Sequence, residues 1–368
     1  MKFTITRETL LTPLQQVIGV VEKRQTLPIL SNVLLKLADG QLELTGTDLE
    51  VQLVTRTTVD SGEDGAITVP ARKLLDICRL LPDKSAINVD CKDERFAIRC
   101  GSSKFNLATL PADNYPEFDT GTTELEVAVP AATLRRALEK TTFAMAQQDV
   151  RYYLNGLLLD LDGRTLRTVA SDGHRLAVFE EVLDIEGEGR QIIIPRKGVL
   201  ELARLLGEGD QSVTVQIAPN TMRVNLGMVS FAAKLIEGRF PDFQRVMPRD
   251  LARVMLVDKD VFKGALTRVS VLSSEKYKSI GMEVDAEGEP VMSLKAQNPE
   301  HEEAEERVPV ALEGSGLSVG FNAAYLLDAI NNVDSAQVRL SFTEAANSCL
   351  IEDCGDSHFK FIVMPMRL

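Results

Sequence analysis

One pattern runs through this chain three times, at a spacing of about 125 residues. The segment LLTPLQQVIGVVEKRQTLPILSNVLLKLADGQLELTGTDLEVQL returns as TLRRALEKTTFAMAQQDVRYYLNGLLLDLDGRTLRTVASDGHRLAVF, and more faintly as FKGALTRVSVLSSEKYKSIGMEVDAEGEPVMSLKAQNPEHEEAE. Each copy predicts a helix, a turn-rich link, a strand, and then a strand that ends in a polar loop. The segments that follow agree as well. GAITVPARKLLDICRLLP, RQIIIPRKGVLELARLLGEGD and LSVGFNAAYLLDAINNVDSA each pass from a short β-branched strand into an amphipathic helix, with Pro70, Pro195 and Asn322 at equivalent places. Such a period is too long for a solenoid and suits tandem domains. The repeats predict domains at 1–123, 124–250 and 251–368.

A chain of 368 residues with 44% hydrophobic content has the length and core material for two or three globular domains. No apolar run approaches the roughly eighteen residues of a membrane span. The opening Met1-Lys2-Phe3-Thr4 reads as strand and not as a signal peptide. The expectation is a soluble, cytoplasmic protein with no membrane partner. Cys78, Cys91, Cys100, Cys349 and Cys354 are odd in number and form no C-x-x-C pair, so packing thiols are expected, with no metal site and no cofactor.

A net charge of −13 argues against a polyanionic partner until its distribution is considered. Helices predicted at 6–18, 71–81, 131–146, 196–208, 261–273 and 323–333 hold twelve Lys or Arg against six Asp or Glu. They carry about +6, which leaves about −19 on the remainder. Such segregation lets an acidic protein offer one positive face to a polyanion while the rest repels it. Taken singly, each helix could equally present an ordinary solvated face.

Periodicity gives each helix one face for a sheet. Leu134, Leu138, Thr141 and Met145 form one stripe, with Arg135, Arg136 and Lys140 off it; Val199, Leu202, Ala203 and Leu206 form another, with Arg196, Lys197 and Arg204 off it. Strands are predicted at 41–45, 51–59, 87–91, 96–99, 105–109, 157–161, 191–194, 213–217, 231–236, 338–342 and 359–363. The expected class is α+β, with three tandem domains of two helices packed on antiparallel sheet.

Chemistry is poorly represented. Ser171, Asp172, His174 and Arg175 in ASDGHRL form a hydrolase-like collection, but Asp172 and His174 sit two apart on one loop, and only His301 and His358 remain as further imidazoles. No G-x-S-x-G elbow, H-E-x-x-H, P-loop or strand-following G-x-G-x-x-G is present. No catalytic residue is assigned and the chain is not expected to be an enzyme.

TLPILSN (26–32), LTGTDLEV (44–51), VPARKLLDICRLLP (69–82), FAMAQQDVRYYLNG (143–156), ASDGHRLAV (170–178), IPRKGVLELARLL (194–206), GRFPDFQRVMP (238–248), QNPEHEEAEE (297–306) and VMPMRL (363–368) together resemble the bacterial DNA polymerase III β subunit family of sliding clamps, in order and from end to end. The resemblance implies three copies of one fold per chain and a head-to-tail homodimer forming a closed ring. Its function would be to encircle double-stranded DNA without sequence preference and confer processivity on the replicative polymerase. Further implied partners are the polymerase catalytic subunit, the clamp loader, translesion polymerases, and repair and ligation proteins, all through short linear motifs. An alternative is a scaffold that organises proteins without encircling DNA.

Three sites follow from the resemblance. DNA contacts map onto Arg24, Arg72, Gln148, Tyr152 and Tyr153. Lys73, Arg196 and Lys197 join them because they stand at helix starts, where backbone N–H groups favour anions. Alone, the tyrosine pair would read as sheet packing. A peptide groove is implied by Leu154, Ser171, Gly173, His174, Arg175 and Leu176, with Pro241, Arg245 and Val246. Asn322, Tyr325 and Ser348 belong to it, as does the terminal stretch Ile362, Met364, Pro365, Met366, Arg367 and Leu368. Alone, that terminal strand could equally be plain sheet closure. A dimer interface is implied by the edge strand Lys104, Phe105, Asn106 and Leu107, the apolar plug Val271 and Leu272, and the acidic run Glu300, Glu302, Glu303, Glu305 and Glu306, set to face Lys73 and Lys104. By itself such a run reads as a solvated loop. Departures from the family pattern are Ser171 for Thr and Tyr277 for Phe, which imply a modest change in partner preference. Ser102 stands where relatives have Arg, and with exposed ion pairs contributing only about 0–1 kcal/mol each, a slightly more readily opened dimer is expected.

Overall fold

A computed structural model describes residues 1–22, 27–92, 94–183, 189–209, 211–274, 276, 278–286, 289–344 and 348–367. Among them lie six α-helices: α1 (Arg7–Val17), α2 (Ala71–Leu80), α3 (Ala131–Thr142), α4 (Arg196–Leu205), α5 (Lys259–Ser270) and α6 (Ala323–Asn331). Each starts within two residues of its expected position and ends up to four residues sooner. The difference is physical. After α3, Ala144 and Met145 donate to Thr141 and Thr142, so the chain tightens to i→i+3 bonds. Those turns still bury Ala144 and Met145, which is why the apolar stripe outruns the α-helix.

Helix starts are fixed in two ways. The side chains of Thr6, Asp258 and Asn322 cap α1, α5 and α6. Pro70 precedes α2 and Pro195 precedes α4, where a preset φ and a missing N–H are no disadvantage.

The chain forms two compact units, the first chiefly Met1–Arg135 with Lys197–Ile236, the second chiefly Arg136–Asp184, Gly189–Arg196 and Glu237–Leu368. In the first unit, a five-stranded sheet runs Ser61–Glu63, Lys2–Thr6, Ala86–Lys92, Arg95–Cys100, Ser103–Ala108. Its eight-stranded sheet runs Leu125–Pro130, Ser212–Ile217, Thr221–Leu226, Val229–Lys234, Val51–Thr58, Gln41–Thr47, Asn32–Ala38, Gly65–Pro70. In the second unit, a nine-stranded sheet runs Arg190–Pro195, Gly156–Asp162, Thr165–Ser171, Arg175–Val182, Phe359–Val363, Cys349–Asp353, Gln337–Thr343, Leu251–Asp258, Ala311–Glu313. A four-stranded sheet, Glu303–Pro309, Val291–Gln297, Ser279–Val284, Leu317–Asn322, completes it. All registered pairings are antiparallel.

These orders follow one rule. Every repeat runs strand, helix, four strands, helix, three strands, apart from the short Ser61–Glu63 and Ala311–Glu313. The first strand joins the last three in one half-sheet, and the middle four form the other. The last strand of a later repeat then docks on the preceding repeat's middle half-sheet. Val229–Lys234 pairs with Val51–Thr58 in the first unit, and Phe359–Val363 with Arg175–Val182 in the second. Three tandem domains of antiparallel sheet and paired helices are thus the observed α+β architecture. Among the strands equivalent to those at these two joints, Ser103–Ala108 and Glu303–Pro309 stand at the ends of their sheets, with one side unpaired among the described residues.

Alternation explains the core. Arg95–Cys100 turns Phe96, Ile98 and Cys100 inward, whereas Gly156–Leu161 is buried throughout because both of its faces are covered. One expectation needs correcting. The acidic run does not form a loop throughout: Glu303, Glu305 and Glu306 belong to the strand Glu303–Pro309, with Ala304 and Val308 turned toward the helix side. Glu306, on the same face as Ala304 and Val308, interrupts the period-two pattern.

Candidate functional site

A tight turn in the second unit organises the groove residues. The Ser171 hydroxyl donates to the Arg175 carbonyl (2.8 Å) and accepts the Gly173 N–H (3.1 Å). The Asp172 carboxylate accepts the N–H groups of His174 (2.9 Å) and Arg175 (3.0 Å) and the Arg175 Nε (3.0 Å). Gly173 suits this place, because its φ of +87° is left-handed and a Cβ would lie 2.9 Å from Arg151 Nη1, the far end of that side chain.

The turn delivers two side chains to α6. Asn322 accepts the N–H of Ala324 and Tyr325 and so fixes where Tyr325 points. His174 stacks on Tyr325 at 6.2 Å and 21°. The Arg175 guanidinium pairs with Asp172 and Asp328, and lies 4.6 Å from the Tyr325 ring centroid and 5.4 Å from that of Phe143. Burial, and next the Asp172 charge, push the Tyr325 phenol upward. The terminal segment crosses this cluster, with Met364 N–H donating to His174 O (2.9 Å) and Met366 N–H to Gly320 O (2.8 Å). Alongside is a cavity of about 560 Å³ lined in part by Arg245, Val246, Met247, Thr343, Ser348 and Met364.

Ser171, Gly173, His174, Arg175, Asn322, Tyr325, Met364 and Met366 therefore lie in one neighbourhood, with Arg245, Val246 and Ser348 lining the cavity beside Met364. Leu154, Leu176 and Ile362 are core residues beneath the site, at most 4% exposed. Pro241, Pro365 and Arg367 are exposed. Leu368 lies outside the described residues, as do Arg24 and Tyr277. Sequence reasoning missed Phe143 and Asp328, the rest of the Arg175 cage. Asp328 was the findable one, three residues after Tyr325 on α6.

The hydrolase-like collection is occupied by this turn. Ser171 and Asp172 bind backbone groups, and His174 faces an aromatic ring. Among the described residues no cluster of His, Cys, Asp and Glu is arranged to hold a metal ion.

The cationic residues behave differently from one another. α2, α3, α4 and α5 each carry two more bases than acids, α1 is balanced and α6 is net acidic. No acid stands in the first turn of α2, α3 or α4, whereas Arg72, Lys73, Arg196 and Lys197 do, against the helix dipole. In the first unit, Arg72 and Lys73 are exposed, with Arg72 donating to Val21 O (2.9 Å). Lys197 is instead engaged by Glu22 (2.8 Å) and Asp48. Burial opposes its charge, but the hydrogen bonds to Asp48 and Glu22 outweigh that and hold the amine above its usual range.

In the second unit, Arg196 is half-buried, and burial first, then the Arg175 charge, lower its pKa. Gln148 is exposed at φ +56° and Tyr152 is 58% exposed, its ring edge-on to Tyr153 at 5.8 Å. Asp149 braces this loop by accepting from Arg151 Nε (3.0 Å) and Nη2 (2.8 Å). Those hydrogen bonds bring the Asp149 pKa down to about 2.

The unpaired strand edges differ in charge. On Ser103–Ala108, Lys104 and Asn106 are exposed and Phe105 and Leu107 half-buried. Near Glu303–Pro309, Arg268 of α5 binds Glu306 (2.6 and 3.1 Å) and draws its pKa down. Glu302 is held by Asn298 (2.6 Å), Glu303 by Gln297 (2.8 Å) and Glu305 by Ser293 (3.2 Å), while Glu300 is exposed. Val271 is 76% exposed and Leu272 half-buried.

Tandem two-helix, two-sheet domains joined through their sheet edges, with basic helices and a terminal groove, define a clamp-type protein. Known proteins agree. Family models for the DNA polymerase III beta subunit match at residues 1–119 (N-terminal domain), 128–242 (central domain) and 244–367 (C-terminal domain). The chain is 47% identical to the beta sliding clamp of Pseudomonas putida and 46% identical to that of Escherichia coli, with complete coverage of both partners in each case. A crystal structure of the DNA polymerase III subunit beta from Pseudomonas aeruginosa superposes with a TM-score of 0.96 at 46% identity, again over 100% of each chain. The Caulobacter crescentus beta sliding clamp gives 0.93 at 36% identity, also over 100% of each chain. The chain belongs to the DNA polymerase III beta subunit family, the non-catalytic sliding clamps of DNA replication.

Proposed function

We propose that two copies of this chain close head to tail into a ring that encircles duplex DNA and tethers the replicative polymerase. The observation that carries this reading is the joining rule. Within one chain, the last strand of the second repeat docks on the first repeat, and that of the third on the second. The first repeat's last strand, Ser103–Ala108, and the third repeat's matching edge, Glu303–Pro309, have no such neighbour among the described residues. A second copy supplies both, and a two-fold operation closes the assembly without leaving either of these two edges open. Lys104 on one edge and the acids on the other favour that pairing, with Val271, Leu272, Phe105 and Leu107 as its apolar part.

In such a ring, with domains at 1–123, 124–250 and 251–368, helices line the hole. Arg24, Arg72 and Lys73, together with Gln148, Tyr152, Tyr153, Arg196 and Lys197, are the proposed DNA contacts. They address phosphate without reading base edges, so binding is sequence-blind. Retention comes from topology, and weak contacts keep friction low. No helix among the described residues is long and apolar enough to cross a membrane.

The groove around His174, Arg175, Tyr325 and Met364 is the proposed receptor for short apolar motifs. The polymerase catalytic subunit, the clamp loader, translesion polymerases, and repair and ligation proteins would carry such motifs. Methionines and an adjustable terminal segment suit a surface that takes several partners in turn.

The test is topological. Protein loaded on nicked circular DNA is expected to remain bound until the circle is linearised, then to run off the ends. Retention after linearisation overturns encirclement, and failure to load at all favours a scaffold that never surrounds DNA.

A further inference from the structure

One face of α2 has an in-chain precedent but no partner among the described residues. Aligned on Pro70 and Pro195, α2 and α4 match residue by residue, with Asp76 at Glu201, Arg79 at Arg204 and Leu80 at Leu205. In α4 that face meets the end of α1. Arg204 donates to Gln16 O (2.7 Å) and Gln15 O (3.4 Å), and a Cβ on Gly19 would collide with the Glu201 carboxylate. In α2 the same positions are open: Asp76 and Arg79 are exposed, and Leu80 is 87% exposed where Leu205 is half-buried.

The end of α5 matches what α4 finds on α1. Aligning the caps Thr6 and Asp258 puts Thr267 and Arg268 at the places of Gln15 and Gln16, and Val271 at that of Gly19. Thr267, Arg268 and Val271 are all exposed, Val271 at 76%. Side-chain sizes are exchanged across the joint: a long acid over glycine inside the chain becomes a short acid opposite valine, so the joint can fill to similar density.

The second in-chain joint has reversed polarity, since Lys140 of α3 reaches Asn332 O and Asp334 (2.6 Å each) just beyond α6. Its equivalent on α5 is Arg268, already held by Glu306, and the acid beyond α2, Asp83, is already held by Arg7. Only the Arg204 type of contact is left for the third joint.

We propose that Arg79 of one copy donates to the carbonyl groups that end α5 in a second copy, with Asp76 packed against that copy's Val271. This rests on the head-to-tail closure proposed above. Sedimentation equilibrium of the full chain tests it. Arg79→Ala raises the dimer dissociation constant roughly tenfold or more, the scale of one hydrogen bond from a charged donor, and Arg79→Lys recovers part of the loss. Helical circular dichroism stays unchanged, because Arg79 has no ion pair among the described residues. In a Cys354→Ser background, Asp76→Cys with Val271→Cys gives a disulfide-linked band at twice the chain mass, and neither single cysteine does. An Arg79→Ala constant within twofold of wild type, with wild type dimeric, overturns this contact alone. Wild type monomeric at every concentration overturns the closure and this contact with it.

Discussion

Two turns in this molecule have the same hydrogen bonds and different uses. In the first unit, the Thr47 hydroxyl donates to Val51 O (2.9 Å) and accepts Leu49 N–H (3.0 Å), while Asp48 accepts the N–H of Glu50 (2.9 Å) and Val51 (2.7 Å). Ser171 to Arg175 repeat each of these bonds in the second unit. The third position is left-handed in both, Leu49 at φ +78° and Gly173 at +87°. Even the neighbouring chain returns alike, with Lys234 N–H on Glu50 O (2.8 Å) and Met364 N–H on His174 O (2.9 Å). The Ser/Thr–Asp pair therefore sets the geometry, and the surroundings set the use. Asp48 is neutralised by Lys197 and Val51 is buried, which makes the first turn structural. The second carries an arginine caged by two aromatic rings, beside a terminal segment.

The sharpest break of this contrast is removal of Met364–Leu368. Binding of a labelled partner-derived peptide, read by fluorescence anisotropy, should fall roughly a hundredfold or more, as for loss of an interface hot spot. The dimer should persist in sedimentation. Unchanged peptide affinity would mean the two turns do not differ in use.

Next in size is Gly173→Leu, which installs the residue of the other turn. Left-handed backbone costs a β-carbon about 1–2 kcal/mol, and here the new atom also meets Arg151. Urea unfolding should show a loss above that range, and a loss below it would mean the second turn tolerates leucine as the first does.

Arg175→Lys should be milder. Charge is kept, but the planar stack between Phe143 and Tyr325 is lost, worth about 1 kcal/mol in stability by thermal unfolding. A neutral result would identify the cage as incidental.

The smallest effect concerns pH. Arg151, held by Asp149, donates to Asp172 O (3.1 Å) and so braces the second turn. The Asp149 pKa is depressed from 3.8 to about 2, so the brace is complete above about pH 4 and is lost as pH falls through 2. Arg151 side-chain NMR signals should follow that course. Loosening centred above pH 4 would detach the brace from this pair.

The repeats, helices and turn were legible because they are written in local chemistry: Pro70, Pro195 and Asn322 mark helix starts, and the stripe from Leu134 to Met145 marks a face. The strand Glu303–Pro309 was not, because Glu306 interrupts its alternation and leaves a charge run that imitates a loop. Lys197 read as a DNA contact at a helix start, and nothing near it in sequence announces its ion pair with Asp48. Phe143 was hidden for the same reason, its partner Arg175 being thirty-two residues away. Pairings made by the tertiary fold are what a single sequence conceals.

Many helix bases already hold carboxylates: Arg136 with Asp356, Lys140 with Asp334, Lys197 with Glu22 and Arg268 with Glu306. The counterions released on binding are those condensed on the DNA, and a cation already engaged by a carboxylate neutralises phosphate less fully and so displaces fewer of them. Affinity for duplex should accordingly decline gently as ionic strength rises, with a slope far shallower than the inventory of lysines and arginines suggests.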